Sequence, residues 1–221
     1  MGHEASKTKA LWNDFEWSLL QGRGLDIGPG DDPVTESVET FDIEDGDANH
    51  ITDFVQGPYN YIFSCHCLEH MDEPKDALKQ WWSLLAPGGH MILVVPDEDL
   101  YEQGFFPSLF NADHKATFTM AKHDSWSPNS HNLIDLIHQL DNSELVRVRL
   151  QDQHYDRTLM HRGVKKRRRA KAQIRLVRRL SRLLNWTGLS RERLVRWTGA
   201  PHDQTSGEAM AQIEVIVKKQ I

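Results

Sequence analysis

This 221-residue chain contains only two cysteines, and none of its apolar runs approaches the roughly 18 residues needed to cross a bilayer. The two cysteines, Cys65 and Cys67, stand one residue apart, which excludes the disulfide framework of a small secreted domain. The residues from Met1 to Lys7 lack the apolar core of a secretory signal. These absences predict a soluble protein of the reducing cytoplasm.

The sequence also has few residues that could complete a zinc site around its cysteines. Cys65-His66-Cys67 offers two thiols and an imidazole. A structural zinc site normally needs four ligands, and no second Cys/His pair has matching spacing. We therefore expect no metal at this position.

Basic residues are scarce everywhere except in one segment. Residues 1–160 carry 28 acidic and 10 basic side chains, whereas 161–197 carry 14 basic side chains and a single acid, Glu192. The formal net charge of -6 for the whole chain conceals this asymmetry. We expect 1–160 and 198–221 to form the main domain, with 161–197 as a basic amphipathic helical insertion before the last strand.

Apolar segments of strand and helix type alternate along the main domain. Strands are predicted at 23–27, 37–41, 48–51, 59–65, 90–96, 145–150 and 213–218, and helices at 5–20, 76–85 and 130–140. The near-continuous apolar run at 90–96 is typical of a central parallel strand. This order predicts an α/β fold with a doubly wound, mostly parallel sheet.

A glycine turn follows the first predicted strand and favours a ligand site there. Gly28 and Gly30 allow a tight turn and the close approach of a ligand to the backbone. Asp42, at the end of the next strand, is placed to bind ribose hydroxyls. Taken alone, this pattern also fits an ordinary strand-to-loop turn.

Three motifs in combination are more specific than the turn. Leu25-Asp26-Ile27-Gly28-Pro29-Gly30, Leu68-Glu69-His70 and Leu85-Ala86-Pro87-Gly88-Gly89 resemble class I S-adenosylmethionine-dependent methyltransferases. The resemblance implies a Rossmann-like methyltransferase fold, an enzyme, and S-adenosylmethionine as its cofactor. It implies that the cofactor-binding residues are Asp26, Gly28, Gly30, Asp42, Asp53, Phe54, Cys65 and His66. Among these, Asp42 would bind the ribose, and Asp53 with the Phe54 backbone would meet the adenine.

The chain departs from the family pattern at two points. Asp32 stands where a third small residue is common, and only about six residues separate the turn from the next strand, so the first helix must be very short or absent. A dinucleotide-dependent dehydrogenase is the competing use of such a sheet, but Pro33 occupies the position of its third glycine.

Two histidines are candidates for the chemistry of methyl transfer. An oxygen nucleophile needs a base near its proton. His114 lies in the loop region after the fifth strand, where substrates enter such sheets, and His66 follows the fourth strand. Each also fits a purely structural role. The acidic run Asp97-Glu98-Asp99 suits sugar hydroxyls, a divalent ion or a solvated loop.

The acceptor is suggested by a weaker resemblance. Methyltransferases that act on amino groups of bases usually carry Asn/Asp-Pro-Pro-Tyr/Phe after the fourth strand, where this chain has Ser64-Cys65-His66-Cys67. The segments 95–102, 111–119 and 203–205 look like those of methyltransferases associated with bacterial surface-polysaccharide synthesis. This resemblance implies O-methylation of a sugar in a glycan, nucleotide-sugar or lipid-linked oligosaccharide. RNA or another small molecule as acceptor, and a non-catalytic assembly module, stay open as alternatives.

The basic insertion has three interpretations. Ile174, Val177, Leu180 and Leu184 recur at helical spacing among arginines, with Trp186 and Trp197 nearby. Such a helix can lie on an anionic membrane surface, which would place the protein at the inner membrane face. It can also pack its apolar face on the sheet or on a second subunit, or bind nucleic acid, which we regard as the weakest interpretation.

Overall fold

Eight strands and six α-helices are present in the computed structural model, which describes residues 3–161, 166–184 and 191–221. The strands are β1 (Gly24–Ile27), β2 (Glu39–Phe41), β3 (Tyr59–Cys65), β4 (Leu85–Pro96), β5 (Thr117–Thr119), β6 (Ser130–Asn132), β7 (Ser143–Gln151) and β8 (Gln212–Lys219). The helices are α1 (Glu4–Lys9), α2 (Asp14–Ser18), α3 (Pro74–Ser83), α4 (Leu133–His138), α5 (Arg167–Leu184) and α6 (Arg191–Thr198).

Six of the strands form the main sheet in the order β2-β1-β3-β4-β8-β7. The pairs β2/β1, β1/β3 and β3/β4 are parallel, and β8 runs antiparallel between β4 and β7. The short strands β5 and β6 form a separate parallel pair. The predicted α/β fold with a mostly parallel sheet is therefore confirmed.

The sheet is buried on both faces. Neighbouring residues of the same strand point to opposite sides, so each central strand contributes side chains to two apolar clusters. On one face Ile62 and Met91 pack in a cluster with Trp81 of α3. On the other face Phe63 and Ile92 pack in a second cluster with Trp12. The carboxyl ends of β1, β2, β3 and β4 lie along one edge, where polar side chains follow the apolar strands.

The leading helix predicted over 5–20 is wrong in its continuity. It is split into α1 and α2 because Asn13 starts a new helix through a capping box with Glu16. Between the two helices, the indole nitrogen of Trp12 donates to the buried Glu214 at 2.8 Å. This bond requires the chain to turn inward at Trp12, and one straight helix over 5–20 would not bring the Trp12 indole to Glu214.

The third strand predicted at 48–51 is also wrong, because Ala48–Asp53 forms a 3-10 helix. Two of its carbonyl groups accept hydrogen bonds from side chains of α3, and the described structure gives this segment no strand partner. The indole nitrogen of Trp81 donates to the Ala48 carbonyl at 2.9 Å, and the amide of Gln80 donates to the Asn49 carbonyl at 2.7 Å. The described sheet consequently ends at β2 on this side.

Two predicted features around β1 and β4 have different outcomes. In the loop from Gly28 to Val38 the structure describes no helix, as the short spacing predicts. The strand predicted over 90–96 begins earlier, at Leu85, and the motif at 85–89 is an irregularity of β4 in which Tyr59 pairs with Leu85 and Tyr61 with His90. Gly89 is required there, since a Cβ atom would lie 2.7 Å from the Asn60 carbonyl oxygen.

The basic insertion contains α5 and α6, which pack against each other. Val177 of α5 and Leu194 and Val195 of α6 are buried in a small cluster with Leu159 and Ala200, and Leu180 packs at its edge. Part of the apolar face of α5 is thus covered within the chain. Lys165, Trp186 and the side chain of Leu184, which belong to the predicted amphipathic pattern, lie outside the described residues. No described helix combines the length and apolarity that crossing a membrane requires.

Candidate functional site

The glycine turn after β1 is held to the end of β2 by two backbone amides. The Gly28 N–H donates to the Phe41 carbonyl at 2.8 Å, and the Gly30 N–H donates to Oδ2 of Asp42 at 2.7 Å. The other carboxylate oxygen of Asp42 accepts the N–H of Ile43. The structure therefore brings Gly28, Gly30 and Asp42 together, as the sequence predicts.

The two glycines serve different purposes. Both have left-handed backbone angles, with φ of +74° at Gly28 and +55° at Gly30. A Cβ atom on Gly28 would lie 2.6 Å from Sγ of Cys67, so this glycine is required by protein packing. A Cβ atom on Gly30 would meet nothing within 4 Å. Gly30 therefore faces open space beside Asp42, where a cofactor has room to approach.

Asp26 supports the turn from beneath. Its side chain is fully buried, and Oδ2 accepts the N–H of Val34 at 2.7 Å. Burial in an apolar environment raises the pKa of Asp26 to about 7, partly opposed by that hydrogen bond. The position under the turn gives Asp26 a role in fixing the loop shape.

Asp32, the departure from the family pattern, ties α1 to the turn. Its carboxylate accepts the backbone N–H of Ser6 at 2.7 Å and the Ser6 hydroxyl at 2.5 Å. Lys9 lies 3.4 Å from the same carboxylate. Asp32 thus anchors α1 beside the glycine turn.

Asp53 and Phe54 close the other side of this region. Asp53 ends the 3-10 helix and is exposed, and the Phe54 ring packs at 5.9 Å from that of Phe41. Phe54 also covers Gly46, where a Cβ atom would lie 2.8 Å from the ring. The strand expected before them is a 3-10 helix, and the ring contact of Phe54 with Phe41 brings this segment to the last residue of β2.

The end of β3 presents Cys65 and His66 at the same sheet edge. His66 has φ of 56° and donates its backbone N–H to the Val94 carbonyl of β4 at 2.9 Å. Burial raises the pKa of both thiols, Cys65 and Cys67, well above the usual range. The cysteines are therefore poor thiolate ligands and poor nucleophiles here.

Two buried carboxylates flank the imidazole of His114. Nδ1 of His114 donates to Oε1 of Glu102 at 2.7 Å, and Nε2 lies 3.9 Å from Oε1 of Glu69. Burial disfavours the charged imidazole, but the Glu102 hydrogen bond and the negative charge of Glu69 outweigh it, so the pKa of His114 is raised. The ring of Tyr101 stacks on His114 with centroids 5.1 Å apart.

Two further histidines approach the same carboxylate. Nδ1 of His66 lies 3.6 Å, and Nε2 of His70 lies 4.0 Å, from Oε1 of Glu69. The loop that carries His114 is fastened here, because the N–H groups of Lys115 and Ala116 both donate to the Glu69 carbonyl. The structure thus brings the two predicted catalytic histidines, His66 and His114, to the same carboxylate oxygen of Glu69.

Sequence reasoning missed Glu102 and Tyr101, and it named Glu69 only as part of the Leu68-Glu69-His70 motif. Glu69 carried a signal, since it lies in the Leu68-Glu69-His70 motif directly after β3. Glu102 carried none, because its position depends on a helical turn, Glu98–Glu102, that turns its side chain inward. Glu98 in the same turn is buried and accepts from the hydroxyls of Ser125 and Ser130. The sequence leaves three interpretations open for Asp97-Glu98-Asp99, namely sugar hydroxyls, a divalent ion or a solvated loop. In the structure, Asp97 caps this helical turn.

A cavity rich in arginine is connected through aromatic rings to the histidine cluster formed by His66, His70 and His114 around Glu69. Its volume is about 390 Å³, and it is lined by Phe110, Arg178, Ser181, Arg182, Arg191, Asp203 and Ser206. Phe110 packs edge-on against Tyr101 with centroids 5.9 Å apart, and Tyr101 in turn stacks on His114. A short chain of aromatic rings therefore connects the arginine-lined cavity to His114.

Comparison with known proteins identifies one family and many solved structures that share the fold. A family model described as a methyltransferase domain matches residues 5–156. No curated protein matches the chain. A solved structure of a candidate methyltransferase from Bacillus halodurans has 12% identity and a TM-score of 0.54, with 100% of each chain covered. This likeness supports the shared fold.

Two further solved structures have lower TM-scores. An S-adenosylmethionine-dependent methyltransferase from Archaeoglobus fulgidus is 14% identical over 99% of this chain and 95% of its own, with a TM-score of 0.49. Phosphoethanolamine N-methyltransferase 2 of Haemonchus contortus, solved with S-adenosylhomocysteine, is 13% identical over 90% of this chain and 49% of its own, with a TM-score of 0.46.

Proposed function

Because the chain belongs to the methyltransferase-domain family, we propose that it transfers the methyl group of S-adenosylmethionine to a sugar hydroxyl in a glycan, nucleotide-sugar or lipid-linked oligosaccharide. The cofactor occupies the strand ends around Gly30 and Asp42, with its methyl group toward the end of β3. The sugar approaches from the loop that carries His114.

The observation that carries the acceptor proposal is the arginine-lined cavity and its connection to His114. Arg178, Arg182 and Arg191 supply donors suited to phosphate oxygens. Nucleotide-sugars and lipid-linked sugars both carry phosphates next to the sugar. A phosphate bound in the cavity would hold such a sugar near the imidazole of His114, so these two acceptors are favoured over a free glycan.

The proposed reaction is a direct displacement at the methyl carbon of the cofactor. The hydroxyl oxygen forms a bond to the methyl carbon as the carbon–sulfur bond breaks, and the electron pair passes to sulfur to give S-adenosylhomocysteine. Orientation supplies most of the acceleration of such an in-line displacement. The hydroxyl proton passes to one of the two histidines, His66 or His114, that face Glu69.

Cofactor binding is tested first, by calorimetry with S-adenosylmethionine and S-adenosylhomocysteine. Asp42→Ala removes the carboxylate that holds the Gly30 amide, and we expect binding to weaken by at least about tenfold. The exposed neighbour Glu44→Ala is the matched control and should bind as the parent does. Absence of binding by the parent protein would refute the methyltransferase proposal.

The acceptor is tested by transfer of labelled methyl groups to nucleotide-sugars, lipid-linked sugars, free glycans and RNA. We expect product with a phosphate-bearing sugar, and loss of product in His114→Ala while cofactor binding persists. Product with RNA alone would overturn the sugar proposal. Cofactor binding without turnover on any acceptor would instead favour a non-catalytic assembly module.

We further propose that the basic insertion brings the chain to an anionic surface. Leu176, Leu183 and Trp197 are exposed apolar side chains on the two arginine-rich helices, with Trp197 77% exposed. Vesicles containing anionic phospholipid should therefore retain the protein at low salt, and neutral vesicles should not. Failure of the protein to float with either type of vesicle would contradict this proposal. A steeply salt-dependent shift of RNA mobility by the protein would indicate the nucleic-acid alternative.

A further inference from the structure

We propose that Glu69, His70 and His114 bind a divalent transition-metal ion at the carboxyl end of β3. One carboxylate oxygen and two imidazole nitrogens of these residues all lie within 4.8 Å of one another. The three side chains come from two chain segments that the fold brings together. They differ from the Cys65-His66-Cys67 set, whose thiols have raised pKa values.

The carboxylate of Glu69 lacks the partners that its burial demands. Glu69 is 1% exposed, and neither of its oxygens accepts a hydrogen bond within the described part of the chain. Burying a carboxylate without a partner costs several kcal/mol, so such groups are normally paired or bound to a metal. In the described ranges, its ion-pair contacts are all with histidines, at 3.6 to 4.0 Å.

These separations are too long for hydrogen bonds and suit an ion between the groups. Oε1 of Glu69 lies 4.0 Å from Nε2 of His70 and 3.9 Å from Nε2 of His114. Two ligands that are each about 2.1 Å from the same ion stand roughly 3 to 4 Å apart. A direct hydrogen bond from a protonated His114 to Glu69 would instead bring the two atoms to about 2.8 Å.

Both histidines have Nδ1 engaged by an acceptor, which leaves Nε2 as the nitrogen that faces the proposed ion. Nδ1 of His114 donates to the Glu102 carboxylate at 2.7 Å, and Nδ1 of His70 lies 3.2 Å from the Asp113 carbonyl, which can only accept. When Nδ1 carries the single proton of a ring, the Nε2 atom has a lone pair that can bind the ion, and metal binding displaces any proton from Nε2. A donor bond from the far ring nitrogen to a carboxylate or carbonyl is the usual support of a metal-binding histidine.

The donor set indicates the class of metal and its role. Two imidazoles and one carboxylate favour zinc or a similar first-row ion over magnesium, which prefers oxygen ligands. Three protein ligands leave a position open for a substrate oxygen. This role rests on the proposed function: the ion would bind the acceptor hydroxyl and lower its pKa, and the proton would pass to Nδ1 of His66, since Nε2 of His114 is then occupied.

The test measures metal binding without reference to methyl transfer. Tag-free full-length protein is stripped with a chelator and titrated with Co²⁺, and bound Co²⁺ is followed by its visible d–d absorption and by calorimetry. We expect one Co²⁺ per chain, displaced by Zn²⁺ and not by equimolar Mg²⁺. Glu69→Gln and His70→Gln should each weaken binding by at least about tenfold.

The matched control is His123→Gln, because the His123 side chain is 98% exposed and lies outside the cluster. This variant should bind Co²⁺ as the parent does. The inference is overturned if the parent does not bind Co²⁺ or Zn²⁺, or if Glu69→Gln and His70→Gln bind as tightly as His123→Gln while circular dichroism shows all three folded. Stoichiometric binding without sugar methylation would refute the proposed acceptor and leave the metal site standing.

Discussion

The side-chain oxygen of Gln212 lies 2.8 Å from Nε2 of His66. The amide nitrogen of Gln212 donates to Oγ1 of Thr8 and to Oε1 of Gln151, each at 2.6 Å, so its oxygen is left to accept. Nε2 of His66 must therefore carry the proton, and Nδ1 keeps a lone pair on the side of Glu69. Gln212 is a positioning residue that fixes the tautomer of a candidate base.

Gln212→Leu is expected to reduce kcat by at least about tenfold, because His66 can then carry its proton on either nitrogen. Cofactor affinity should change little, since Gln212 does not contact the glycine turn. The pH profile of kcat should also shift, which a purely structural residue would not cause. These quantities are measured by steady-state assay and calorimetry on the same preparation.

The same substitution should lower the free energy of unfolding by about 1–3 kcal/mol, since it leaves the Gln151 and Thr8 oxygens without a buried donor. Assays are therefore run well below the melting temperature. A kcat and a pH profile equal to those of the parent would show that Gln212 holds only the strand end.

The cofactor turn could be predicted from sequence because its determinants are local. Gly28, Gly30 and Asp42 lie within fifteen residues, and the turn and strand end that carry them follow from residue type and spacing. The third strand could not be predicted, because Trp81 and Gln80 bind the carbonyls of 48–49 from a distant helix. Local propensity gives no indication of such bonds.

The histidine cluster shows the same limit at the site. His66 and His114 could be selected because they follow strands at the edge where ligands enter. Their position relative to one another could not be predicted, since Glu69 and His114 meet only when the backbone of 115–116 binds the Glu69 carbonyl. Glu102 could not be predicted, because the inward turn of 98–102 depends on the hydroxyls of Thr117, Ser125 and Ser130, which donate to the buried Glu98.

Gly28→Ala should destabilise the fold more than Gly30→Ala does. Both need a left-handed backbone, which costs about 1–2 kcal/mol for alanine. The new methyl group at position 28 must also displace Cys67, at an added cost of about 1–3 kcal/mol. Thermal and chemical unfolding measure the difference, and Cys67→Ala combined with Gly28→Ala should recover part of it.

Gly30→Ala should affect cofactor binding more than stability. Its methyl group would point into open space beside Asp42, so the folded protein tolerates it while the cofactor loses room. We expect weaker binding of S-adenosylhomocysteine by calorimetry, with a melting temperature only slightly below that of the parent. Unchanged affinity would show that the cofactor does not pass over Gly30.

Removing arginines from the cavity should affect phosphate-bearing acceptors selectively. For Arg178→Ala/Arg182→Ala we expect KM for a nucleotide-sugar to rise roughly tenfold or more, because charge-assisted bonds to phosphate are lost. The cofactor KM should not change. Arg175→Ala/Arg179→Ala removes the same two charges from the same helix outside the cavity lining and serves as the control. An equal effect of the control would point to general electrostatic attraction.

Stability should depend on pH through Asp26. Its pKa is about 7 in the folded protein, because of burial, and about 3.9 in an unfolded chain. Between these pH values the folded state binds more protons than the unfolded state. The contribution of protonated Asp26 to the free energy of unfolding is therefore complete below pH 4 and is lost as pH rises to about 7. Asp26→Asn cannot titrate, so the difference in unfolding free energy between parent and variant should shift by a few kcal/mol from pH 4 to pH 7.5. Urea unfolding at several pH values measures this difference. Parallel curves for the two proteins would show that Asp26 is ionised in both folded and unfolded states.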